Sequence, residues 1–91
     1  MRHESISIYV VDGDSWALES QTAFLSAAGY ATFPCNSAEQ FLKQFDIERK
    51  ACVVMELRLP GMSGSELQDY LACNGLDIPI VILTAHGDVP V

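Results

Sequence analysis

Positive charge is scarce in this chain. Lys and Arg number 5 against 12 Asp and Glu, a formal net charge of −7 over 91 residues. A nucleic-acid footprint needs basic residues gathered on one face, so direct binding to DNA or RNA is not expected, and a solvated acidic surface is. Cysteine is nearly as sparse. Cys35, Cys52 and Cys73 are odd in number and lack CxxC spacing, which speaks against a disulfide framework and against a zinc site. The polar start "MRHES" has no apolar segment of the export type, so reduced thiols in the cytoplasm are the expectation, with Cys52 in an apolar run as core filler. No apolar run approaches the roughly 20 residues of a membrane-crossing helix, and no membrane partner is expected. Phosphate-loop and dinucleotide fingerprints are missing too: "DGD" and "PGMSG" have the wrong glycine spacing. Ser15 has no evident His–Asp partners, which removes a hydrolase triad.

Apolar residues, by contrast, are plentiful. They make up 49% of the chain, enough for a core and too much for a disordered segment, and the length suits a single domain over residues 1–91. "ISIYVVDGD" is short, β-branched and unbroken until Gly13, the pattern of a strand buried on both faces of a parallel sheet. Asp14 or Ser15 caps the following helix, in which Leu18, Thr22, Phe24, Leu25 and Ala28 recur at helical spacing until Gly29 stops it. "YATFP" supplies a second strand. Ser37 with Gln40 is a capping-box signature for a second helix through Ala38, Phe41, Leu42 and Phe45. "ACVVM" is the third strand, and Ser63 with Glu66 opens a third helix through Leu67, Tyr70 and Leu71 to Asn74-Gly75. Pro79 precedes "IVILT", the fourth strand, and "AHGDVPV" follows as loop.

The βαβαβαβ order predicts an α/β fold, an open parallel sheet with helices on both faces. Ligands of such sheets sit at the carboxyl ends of the strands. The chemistry-bearing residues there are Asp12 after the first strand, Glu56 after the third and Thr84 after the fourth. Two carboxylates and a hydroxyl fit a hard cation or a phosphoryl group, and they equally fit helix caps and solvent-facing acids; spacing leaves both open. His86 in "TAHGD" reads as a loop histidine rather than an acid–base group, and Trp16 as a partly exposed packing residue.

"IYVVDGD", "GYATFPCNSAEQFL", "CVVMELRLPGMSGSELQ" and "IPIVILTAHGDVPV" together resemble the receiver domain of bacterial two-component response regulators, in the subgroup that usually carries a C-terminal helix-turn-helix DNA-binding domain. The resemblance implies a flavodoxin-like fold with strands in the order 2-1-3-4-5 and five helices. This sequence ends before the fourth helix, fifth strand and fifth helix, leaving the order 2-1-3-4. It also implies a function: an Asp ending the third strand accepts a phosphoryl group from a histidine kinase. Mg²⁺ is held by that Asp, by two acids after the first strand and by a backbone carbonyl, while a Thr or Ser and a Lys hold the phosphate.

Carried over by position, Asp12 matches the first acid, Gly13 stands where the second belongs, Glu56 occupies the phosphoacceptor position, Arg58 offers the carbonyl, and Thr84 matches the phosphate-contact hydroxyl; the Lys has no counterpart. A Glu carboxylate lies one methylene, roughly 1.5 Å, beyond that of an Asp. Phosphoryl transfer is largely positioning, and a 1 Å displacement can cost on the order of 100-fold. The expectation is a non-enzymatic, non-phosphorylatable receiver-like module that binds Mg²⁺ weakly, through Asp12, Glu56 and Arg58. It would act by protein contact: self-association through the apolar edge Ile80, Val81 and Ile82, or binding to a kinase or regulator. The alternative is a working phosphoacceptor that controls transcription through an output domain beyond this sequence. A small-molecule- or nucleotide-binding module on the same fold is a third reading, supported only by the strand-end crevice.

Overall fold

The computed structural model describes residues 3–59 and 61–83. Four strands and three helices alternate: β1 (His3–Val11), α1 (Ser15–Ala27), β2 (Tyr30–Cys35), α2 (Ala38–Gln44), β3 (Ala51–Glu56), α3 (Gly64–Cys73) and β4 (Ile80–Leu83). All pairings are parallel, in the order β2-β1-β3-β4. The sheet therefore has the strand order that the receiver resemblance implies.

The central strands β1 and β3 carry the β-branched runs, and their side chains alternate between two faces. Tyr9, Val11, Val53 and Met55 point to one face, where they meet Cys35 of β2 and Ala38, Phe41, Leu67 and Leu71 of α2 and α3. Leu59, in the loop after β3, closes this cluster. Tyr9 anchors its aromatic part. Its ring lies 5.1 Å from Phe41 in an edge-on arrangement and 5.3 Å from Phe33, while its hydroxyl accepts from the Asp46 N–H at 3.2 Å. Such ring pairs add about 0.5–1.5 kcal/mol each beyond the area they bury. Ile8 and Val10, also buried, lie on the opposite face, where α1 is the covering helix.

That second face is covered differently from what helical spacing predicts. No residue of α1 is buried, Phe24 is 74% exposed and Trp16 is 76% exposed, well beyond a partly exposed packing residue. The reason lies in the layout: α1 packs mainly over β2, and its apolar stripe borders a groove lined by Val54 of β3 and Val81 and Leu83 of β4.

Helix ends follow local chemistry. The Asp14 carboxylate accepts from Trp16 N–H at 3.1 Å and caps α1. Ser37 accepts from Gln40 N–H at 3.0 Å, but the Gln40 carboxamide accepts from Asn36 N–H rather than reaching back to Ser37, so the reciprocal box expected for α2 is displaced by one residue. Ser63 and Glu66 form the full box, at 3.1 and 2.9 Å. Cys52 is only half-buried, whereas Cys35 is fully inside.

Candidate functional site

Parallel pairing brings the acids to one end of the sheet. Val11 pairs with Met55, so the next residues along the two neighbouring strands are Asp12 and Glu56, on backbones about 4.8 Å apart. Glu56 in turn pairs with Leu83, the last residue of β4. Asp12 is 5% exposed and Glu56 8% exposed. A buried carboxylate must be compensated by hydrogen bonds or charge, and Asp12 has two donors. Its Oδ1 accepts from Asp14 N–H at 2.9 Å and its Oδ2 from Gln21 Nε2 at 3.1 Å. Glu56 Oε1 accepts from Arg58 N–H at 3.4 Å, a long bond to the loop that begins there.

That loop is held close to the strand end. Gly64 N–H donates to Leu57 C=O at 3.0 Å, and a Cβ on Gly64 would meet the Glu56 carbonyl oxygen at 2.9 Å. Only glycine permits α3 to start so near the acid. From the other side, the Glu39 carboxylate in the first turn of α2 accepts from Met62 N–H at 3.2 Å, beside Gly61 with its φ of +71°. Gln21 and Glu39 escape a sequence reading focused on strand ends. Gln21 is visible in retrospect as a polar residue on the Leu18–Gln21–Leu25 stripe of α1, where an apolar one would be expected.

Asp12, Glu56 and Arg58 thus lie at one end of the sheet, with Arg58 exposed. Ile80 and Ile82 are half-buried on the fourth strand, with Ile80 packed against the core, while Val81 and Leu83 are exposed. Thr84, Pro60 and His86 lie outside the described residues.

The donor set does not match a tight Mg²⁺ site. Mg²⁺ is held by oxygen ligands in near-octahedral geometry. Here Gly13 offers no side-chain oxygen, and both Asp12 oxygens already accept hydrogen bonds. No cluster of three acidic, His or Cys side chains suited to a metal occurs among the described residues. Two of the thiols are held toward their protonated form: burial pushes Cys35 up to about 11, and it raises Cys52 as well, against a weaker opposing hydrogen bond from the Val53 backbone.

Comparison with known proteins identifies the family of the fold. Residues 8–91 match the response regulator receiver domain family. The transcriptional regulatory protein FixJ of Azorhizobium caulinodans is 36% identical over 87 residues, covering 96% of this chain and 41% of that protein. Among solved structures, the response regulator StyR superposes with a TM-score of 0.87 at 39% identity, over 96% of this chain and 44% of StyR. The N-terminal part of FixJ gives 0.83 at 36% identity, over 93% of this chain and 68% of that structure. The chain therefore spans about two fifths of the curated relative it matches. With a sheet in the order β2-β1-β3-β4, acids at the ends of its two central strands and a family match over nearly all of its length, this chain belongs to the response regulator receiver domain family.

Proposed function

We propose that this chain is a signalling module of the receiver type that does not take up a phosphoryl group at Glu56 and acts through protein contact. The observation that carries this reading is the nature of the acid pair. Glu56, buried at the end of β3, has a longer side chain than the family's Asp, and its neighbour Asp12 is already engaged by two donors beside a glycine. An acyl phosphate needs an attacking oxygen in line with the donor and cations to neutralise the charge that develops. Glu56 offers the wrong reach, and Asp12 with Gly13 offers too few oxygens for strong Mg²⁺ binding.

Glu56 instead supplies one permanent negative charge near where receivers gain a phosphate with nearly two. This weak imitation would bias the module toward one state without a donor. No catalysis is assigned to it. Its partners are a second copy meeting the Ile80, Val81 and Ile82 edge, or a histidine kinase or regulator; direct contact with nucleic acid or membrane is not proposed. A cytoplasmic location is part of this proposal, and the match to the receiver domain family supports it.

Incubation with a small phosphodonor and Mg²⁺, followed by intact-mass measurement, tests this reading. The expected spectrum shows no added phosphoryl group. A stoichiometric gain that disappears in Glu56→Gln would instead support the phosphoacceptor reading, with transcriptional control through a further domain.

A further inference from the structure

We propose that Gln21 is the positioning residue of the acid site: its carboxamide donates to the Asp12 carboxylate from within the chain and ties the end of β1 to α1. Asp12 is almost completely buried, and a carboxylate in that setting is costly unless each oxygen has a partner. One of its partners is local, the Asp14 N–H two residues on. The other comes from a different element. Gln21 Nε2 donates to Oδ2 at 3.1 Å from the second turn of α1.

The surroundings of Gln21 explain the direction of its side chain. It is half-buried and lines a groove of about 400 Å³ with Ser20 and the apolar Phe24, Leu25, Val54, Val81 and Leu83. An amide in such a wall must spend its hydrogen bonds at the rim, and Asp12 is the acceptor it reaches. Gly13 brings no second charge next to Asp12 in the chain. Together these features give Asp12 one backbone donor and one neutral side-chain donor from α1, with no third metal-ligating side chain beside Asp12 and Glu56 among the described residues. Asp12 then no longer reports on metal binding; it acts as a structural link.

This inference rests on the metal-poor site described above, but it fails separately. A chain that takes no phosphoryl group at Glu56 can still hold Asp12 without help from Gln21. The test is a thermal-unfolding cycle on the full chain with Gln21→Leu, Asp12→Ala and the double variant, each with and without millimolar Mg²⁺. Gln21→Leu is expected to lower Tm by several degrees in the parent and by much less in the Asp12→Ala background. Mg²⁺ is expected to leave the parent Tm unchanged. Strictly additive costs, or a parent Tm that rises with Mg²⁺, would overturn the proposal. Should Gln21→Leu fail to fold, the side-chain amide of Gln21 in the parent is read by nitrogen-15 NMR. Slow exchange, and a clear displacement of its signals in Asp12→Ala, is the expected result. Fast exchange with unmoved signals overturns the assignment.

Discussion

At the scale of single residues, the site is defined by reach and by space. Converting Gly13→Asp and Glu56→Asp together restores two short acids beside Asp12, and calorimetry is expected to find Mg²⁺ affinity at least tenfold above the parent's. Equal affinity in parent and double variant would place the ion elsewhere. Gly64 is limited by space: the added Cβ of Gly64→Ala meets the Glu56 carbonyl oxygen at 2.9 Å and the Leu57 backbone at 3.1 Å. Backbone atoms cannot swing aside as a side chain can, so a cost of about 1–3 kcal/mol is expected from the denaturation midpoint. Cys35 adds a pH dependence. Its thiol is raised from 9.0 to about 11 by burial. Below pH 9 both folded and unfolded chains keep the proton; between pH 9 and about 11 only the folded thiol does, so stability falls across that window by up to about 1.4 kcal/mol per pH unit. Tm measured from pH 8 to 11 is expected to drop more steeply in the parent than in Cys35→Ala.

Elements differ in how firmly they are seated. Helices α2 and α3 press Phe41, Leu67 and Leu71 into one closed cluster, whereas α1 buries none of its residues. Truncation should reflect this. Phe41→Ala removes a fully buried ring and is expected to cost about 3–5 kcal/mol by urea unfolding. Phe24→Ala removes a ring that is mostly in water and should stay within about 1 kcal/mol. Similar costs for the two would mean that α1 is seated as deeply as α2. The caps behave as local devices. The capping box of α3 sits next to the loop after Glu56, so Ser63→Ala is expected to cost about 1 kcal/mol and to loosen that loop.

For the whole molecule the question is what meets the sheet beyond β4. Strand β4 pairs with β3 on one side, and among the described residues no strand pairs with its other side. An apolar edge of this kind is a template for pairing, and exposed apolar area beside it adds to the tendency. Side-chain direction decides how to test self-association. Ile80 packs on the core, whereas Val81 is 48% exposed on the α1 face. Val81→Lys therefore adds a charge near the edge without the core penalty that Ile80→Lys would carry. Light scattering after size exclusion is expected to show the parent associating at high micromolar concentration and Val81→Lys shifted toward monomer. A parent that stays monomeric and melts cooperatively would remove this interaction.

The alternation of β-branched runs with capped helical segments was enough to assign the α/β class, and most element ends were legible because they are local: Asp14, Ser63 with Glu66, Gly29 and Asn74-Gly75 act within a few residues of chain. The strand order and the roles at Asp12 and Glu56 came from motif resemblance, since period-two patterning says which residues are buried but not which strands are neighbours. Tertiary structure decided the rest. Whether a helical stripe is buried depends on what lies opposite, and α1 packs mainly over β2, leaving Phe24 exposed. Whether an acid is open to a cation depends on which donors reach it first. No spacing rule links Gln21 to Asp12; the hydrogen bond exists because the helix crossing after β1 brings its second turn back over the strand end.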